Sequence, residues 1–175
     1  QVVMESLGKS FGPDNQEAMQ ATVPVFWGGT GSSSQHSFFQ AMHQGSDIIP
    51  MDFIGALKPA HDYLESHHNL LANLLAQAEA LANGSIGNES QKNYQGNRPS
   101  SLLLLDELNP YSFGMLLALY EHSVYVQSVI WGINAFDQWG VELGKKLASG
   151  LLPAIIDRER QAGDAITQAL LKLMH

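Results

Sequence analysis

Residues 102–110 read LLLLDELNP. Four consecutive leucines are typical of a β-strand buried on both faces, as in a parallel sheet. Asn109 is a common helix N-cap residue. Pro110 suits the first helical position, because an N–H at that position would have no acceptor within the helix. The stretch therefore predicts a strand that leads into a helix. Because residues 115–133 are very apolar, we expect that helix to be central.

Strands and helices alternate on both sides of this stretch. Short apolar runs predict strands, and apolar residues at helical spacing predict helices. The runs are too apolar for one-sided sheets, so the predicted fold class is α/β with a mostly parallel sheet flanked by helices. No internal repeat or boundary is evident, and we expect one domain over residues 1–175 with a helical tail from about 155. The other predicted elements are strands at 23–27 and 48–54, and helices at 34–44, 70–84, 139–147 and 155–174.

Composition excludes several classes of protein. The 175 residues carry 9 Lys and Arg against 17 Asp and Glu, a net charge of -8, which argues against nucleic-acid binding. The absence of cysteine excludes disulfides, thiolate zinc sites and a cysteine nucleophile, and it fits a reducing, cytoplasmic location. No apolar run reaches the roughly 18 residues that a membrane span needs. A small anionic ligand remains compatible with this balance.

The first candidate site is the loop at residues 28–34, GGTGSSS, with His36 in the helix expected after it. Small residues let backbone N–H groups approach a ligand, and a helix N-terminus favours an anion. The same position would keep the His36 imidazole neutral and able to exchange a proton. The alternatives are a flexible connection and a structural histidine. The spacing of the histidines predicts no metal site.

Two further candidates carry charge. Gln138, Glu142 and Lys145 share one helix face, which fits either a site or a solvated face with a Glu142–Lys145 salt bridge. Glu5 stands between apolar and small residues, where burial would raise its pKa and make it a competent base. The alternative for Glu5 is a surface glutamate near the terminus.

Taken together, seven segments resemble, in the same order, blocks of the glucose-6-phosphate isomerase family. The most specific is residues 132–145, GINAFDQWGVELGK, and another is residues 1–9, QVVMESLGK. The loop at 29–34 and Leu7 depart from the family pattern, but no catalytic residue is lost. The remaining matching segments are 26–29, 35–40, 43–45, 67–81 and 96–100.

The resemblance implies a three-layer sugar-isomerase (SIS) domain and an aldose–ketose isomerase that interconverts glucose 6-phosphate and fructose 6-phosphate through a cis-enediol. It implies that Glu5 carries a proton between C1 and C2. It assigns His36 and Lys145 to ring opening and to protons on O5 and O1. It places Gln138 near the phosphate and Gln1 elsewhere against the substrate. No cofactor or metal is implied.

The resemblance also implies partners. In the family, a Ser/Thr-rich loop and an arginine of the other SIS domain hold the phosphate and stabilise the enediolate, and both would lie upstream of Gln1. The chain is then expected to be the C-terminal part, with little activity alone, and the 28–34 loop becomes a platform for His36. That histidine serves the neighbouring subunit, which implies a homodimer. The alternative is a non-catalytic sugar-phosphate-binding SIS module, although Glu5 and Lys145 argue against it.

Overall fold

The computed structural model describes residues 1–18, 20–157 and 162–174. Three helices come first, two strands separated by a helix follow, and three further helices end the order of elements. A short 3₁₀ turn, Ser90–Lys92, lies between the fourth helix and the second strand. The elements are α1 Met4–Leu7, α2 Gly31–Ser34, α3 Phe39–Gln44, β1 Met51–Lys58, α4 Leu64–Asn83, β2 Ser100–Glu107, α5 Pro110–Trp131, α6 Trp139–Ile156 and α7 Ala165–Leu173.

The two strands form a parallel sheet, which confirms the α/β class. Their register runs from Met51 opposite Ser100 to Lys58 opposite Glu107. Helix α4 makes the crossover between them, as a parallel pair requires. It approaches β1 closely, because a Cβ added to Gly55 would lie 2.8 Å from Leu74 Cδ1.

Two of the expected strands differ from the structure. The strand expected at 48–54 is β1, which begins only after Pro50. The strand expected at 23–27 is wrong, because these residues form neither helix nor strand. Pro24 interrupts the run and has no N–H to donate to a sheet, which is a sufficient reason. The side chains of Val25 and Trp27 are exposed.

The stretch at 102–110 folds as expected, but its surroundings differ. Asn109 caps α5 through its side chain, which accepts a hydrogen bond from the Ser112 amide at 2.9 Å. The expectation of a strand buried on both faces is wrong, since Leu102 and Leu104 are exposed. Helix α5 is buried only in part: its buried residues are Val124 and Ser128.

Contacts divide the chain into two compact units. The first unit comprises residues 1–24 and 121–175, and the second comprises residues 25–120. The first has a core of Leu7, Val124, Ile133 and Ala135. The second is built on β1, α4 and β2.

The C-terminal region is helical, as predicted, but in two pieces. Helix α6 extends well beyond the predicted 139–147, and α7 begins after Asp164, whose carboxylate accepts a hydrogen bond from the Thr167 amide at 2.8 Å. Of the helix expected at 155–174, residues 158–161 lie outside the described residues. No helix in the described ranges is long and apolar enough to cross a membrane.

Candidate active site

Glu5 lies on a single helical turn that is fixed from several directions. Its amide donates to the Gln1 carbonyl at 3.1 Å, and the Leu7 amide donates to the Val3 carbonyl at 2.9 Å. Leu7 is fully buried in the core of the first unit. Among the described residues, the Glu5 carboxylate itself accepts no hydrogen bond. The turn is therefore anchored while its half-buried carboxylate stays available to a ligand.

Lys9 satisfies the end of that turn. Its Nζ donates to the carbonyl oxygens of Glu5 and Ser6, both at 2.7 Å, so it caps two groups that a one-turn helix leaves unpaired. The same ammonium lies 3.6 Å from Oδ1 of Asp137. Because Asp137 directly precedes Gln138, the segment that carries Glu5 is linked to the segment that carries the second candidate group.

Gln138 directly precedes α6, and Lys145 lies in the second turn of that helix. Gln138 is the N-cap residue and is exposed, so its amide can reach a ligand. Lys145 pairs with Glu142 at 2.8 Å, and its side chain is 66% exposed. The expected salt bridge is therefore present, yet an ammonium has three donors and this bond uses one of them. Both interpretations of this face remain compatible with the geometry.

His36 lies in a different position from the one predicted. The helix expected at 34–44 is broken into α2 and α3, and His36 lies in the turn between them. The Ser37 and Phe38 amides both donate to the Ser34 carbonyl, at 3.0 and 3.2 Å, which closes this turn. His36 therefore follows the end of α2 and does not lie in the first turn of a helix, where it was expected.

His36 lies beside an open cavity. His36 lines a cavity of about 570 Å³ in the second unit, together with His43 and Gln77. His43 Nε2 lies 3.0 Å from Gln77 Oε1, so that pair orients the neighbouring ring. The His36 side chain is exposed, which leaves it accessible to an external ligand.

The predicted site residues fall into two groups. Gln1, Glu5, Gln138 and Lys145 belong to the first unit, and His36 belongs to the second. Over residues 1–18, 20–157 and 162–174, no three His, Cys, Asp or Glu side chains form a group that could hold a metal ion. Sequence reasoning missed Lys9 and Asp137. Both residues lie inside segments that resemble the family, and that resemblance was the signal that could have identified them.

Comparison with known proteins identifies the family. The sequence model described as phosphoglucose isomerase matches residues 1–171. The chain belongs to the phosphoglucose isomerase family. A glucose-6-phosphate isomerase of Stenotrophomonas maltophilia is 58% identical over 171 residues, which are 98% of this chain and 34% of that protein. One from Xylella fastidiosa is 56% identical over the same shares.

A solved structure agrees with this assignment. The crystal structure of a glucose-6-phosphate isomerase from Chlamydia trachomatis superimposes with a TM-score of 0.82 at 40% identity, over 98% of this chain and 33% of that one. The phosphoglucose isomerase fold of the chain is therefore supported by sequence and by structure. The chain spans about a third of the length of the curated relatives it matches.

Proposed function

We propose that this chain supplies part of the active site of an aldose–ketose isomerase that interconverts glucose 6-phosphate and fructose 6-phosphate. The observation that carries the proposal is an available Glu5 carboxylate on an anchored turn, in a chain whose family match covers residues 1–171. A carboxylate next to a sugar carbonyl can remove and return the proton that this reaction moves.

In this proposal Glu5 is the base. Its ionised carboxylate takes the proton from C2 of open-chain glucose 6-phosphate while the carbonyl oxygen O1 gains a proton, which gives a cis-enediol. The acid form of Glu5 then returns the proton to C1 while the O2 hydroxyl loses its proton and becomes the ketone. An ionised carboxylate only accepts hydrogen bonds, which suits the first step, and the protonated form suits the last. The anchored turn keeps the carboxylate within reach of both carbons.

Lys145, His36 and the two glutamines act around the reacting carbons. The Lys145 ammonium has donors beyond the one bonded to Glu142, and its charge would stabilise an enediolate oxygen. The exposed His36 imidazole would move the O5 proton during ring opening. Gln138 and Gln1 would contact the substrate through neutral amides.

We propose that the rest of the site lies in the part of the relatives' length that this chain does not cover. That part would hold the phosphate and supply an arginine for the enediolate. Binding energy at a remote phosphate positions the reacting carbons, so the isolated chain should have little activity.

Architecture and assembly follow from the same proposal. Residues 1–175 would form a three-layer SIS domain with a helical tail from about 155, in a cytoplasmic homodimer. Apolar side chains exposed on β2, α5 and α6 support further covering layers, because surfaces this apolar are seldom left open to water. His36 would act in the site of the neighbouring subunit.

The alternative is a sugar-phosphate-binding module without catalysis. The test is a coupled assay that follows glucose 6-phosphate formed from fructose 6-phosphate, run on the full-length protein and on the isolated chain. We expect turnover by the full-length protein and at least about a hundredfold less by the chain, because the phosphate contacts are lost. Binding of fructose 6-phosphate without turnover by the full-length protein would favour the module.

A further inference from the structure

The Lys9 ammonium is shared between two parts of the first unit. It donates to the Glu5 and Ser6 carbonyls at 2.7 Å each, and its remaining side faces Asp137 Oδ1 at 3.6 Å. Two of the three ammonium donors are therefore used by carbonyl oxygens, and the positive charge pairs with Asp137 as an ion pair. The Lys9 backbone is held too, because its carbonyl accepts a hydrogen bond from the Thr22 hydroxyl at 2.9 Å.

The Asp137 carboxylate is also bonded on the side that faces away from Lys9. Its second oxygen accepts a hydrogen bond from Asn134 Nδ2 at 3.1 Å, and Asn134 Oδ1 accepts one from the Phe136 amide at 3.0 Å. This fixes the turn that ends at Gln138, where α6 begins. Movement of Lys9 relative to Asp137 is therefore movement of the Glu5 turn relative to the start of α6.

This ion pair differs from the others in the described ranges by its shielding. The side chains of Lys9 and Asp137 are 12% and 27% exposed. The Lys58–Asp106 pair is shorter, at 2.7 Å, but its side chains are 62% and 73% exposed. Exposed pairs are screened by water and contribute little, whereas a shielded pair constrains geometry more strongly.

We propose that Lys9 and Asp137 are positioning residues that set the place of the Glu5 carboxylate relative to Gln138 and α6. The inference rests on the proposed function, since it assigns these two residues to the same reaction. Neither residue needs to touch the substrate. A displacement of about 1 Å at a reacting group can cost on the order of a hundredfold in rate, so the link would affect turnover more than binding.

The experiment compares Lys9→Met, Asp137→Asn and the double variant in the full-length protein. Asp137→Asn is the mild change, because it removes the charge while keeping an oxygen for Asn134. Each single variant should lower kcat per folded enzyme at least about tenfold, with KM changed less than about threefold. The kcat of the double variant should lie within about twofold of the kcat of the less active single variant, because both substitutions break the same ion pair.

The deuterium isotope effect on kcat distinguishes a positioning role of Lys9 and Asp137 from a purely structural one. Slower proton transfer should raise the deuterium isotope effect on kcat with C2-deuterated glucose 6-phosphate, whereas lost stability alone would not. The matched controls are Lys58→Met and Asp106→Asn, which break an exposed Lys–Asp pair in the other unit and should leave kcat and the isotope effect unchanged. Unchanged kcat and isotope effect in folded Asp137→Asn would overturn the inference. Loss of the proposed function itself would instead appear as an inactive unmodified protein.

Discussion

Asn109 and Ser112 cap helix α5 for each other. Asn109 Oδ1 accepts a hydrogen bond from the Ser112 backbone amide at 2.9 Å. The Ser112 hydroxyl in turn accepts a hydrogen bond from the Asn109 backbone amide at 3.0 Å. Such a reciprocal arrangement satisfies two donors at a helix start. It joins the end of β2 to the longest helix of the described chain.

Asn109→Ala should destabilise the start of α5 by about 1 kcal/mol, because one helix donor loses its partner. Hydrogen exchange of the amides at residues 111–113 in the full-length protein measures this opening. Asn88→Ala changes an exposed asparagine outside any helix or strand and is the control. Equal exchange in the two variants would contradict the capping role.

The Tyr120 hydroxyl should lose its proton only at unusually high pH. Burial, and then the hydrogen bond from its hydroxyl to Asp52 Oδ2 at 2.9 Å, raise the pKa of Tyr120 to about 12. The folded state then keeps a proton that the unfolded state releases near its ordinary pKa of about 10. The stabilisation is therefore complete below about pH 10 and is lost as pH rises towards 12.

Tyrosinate absorbance during an alkaline titration measures this pKa. Tyr120→Phe should remove a late step, and Asp52→Asn should lower the pKa only in part, because burial is the larger cause. Tyr111→Phe, an exposed ring on the same helix, should leave the late step in place. A late step that survives Tyr120→Phe would refute the assignment.

Gly84 should not tolerate a side chain. It ends α4 with φ 65° and ψ -166°, a region open essentially to glycine alone, and an added Cβ would overlap the Tyr94 carbonyl oxygen. Gly84→Ala should therefore cost about 1–3 kcal/mol and open residues 85–95 to protease. Gly87→Ala, where a Cβ meets its nearest neighbour at 3.4 Å, is the control. Similar cleavage rates in the two variants would contradict this prediction.

The proposed sharing of sites between subunits can be tested by mixing. A Glu5→Gln subunit keeps His36, and a His36→Ala subunit keeps Glu5. If His36 serves the neighbouring site, each mixed dimer contains one complete site, and an equal random mixture should recover about a quarter of full activity. No recovery in a mixture shown to contain mixed dimers would place His36 in its own subunit's site.

Local chemistry made part of the fold predictable. Asn109 and Pro110 identify the start of α5 because capping involves residues within one turn of each other. The parallel pairing of β1 and β2 follows from two apolar runs separated by a helix. The break between α2 and α3 at His36 was not predictable from periodicity, because apolar spacing continues across the turn closed by the Ser34 carbonyl.

Contacts between residues that are far apart in the sequence could not be predicted from local patterns. The exposure of Leu102 and Leu104 depends on which layers cover the sheet, and a local run of leucines carries no information about that. The Lys9–Asp137 pair joins residues from opposite ends of the chain. Each is an ordinary charged residue in its own segment, and only the fold brings them together.

Glu5→Gln in the full-length protein tests the claim that Glu5 is the base of a sugar-phosphate isomerase. The amide keeps the size of the side chain but cannot take the proton, so kcat should fall by at least about a hundredfold with substrate affinity kept. Glu17→Gln, an exposed carboxylate of the same unit, should keep full turnover. Turnover by Glu5→Gln equal to that of the unmodified protein would contradict the claim.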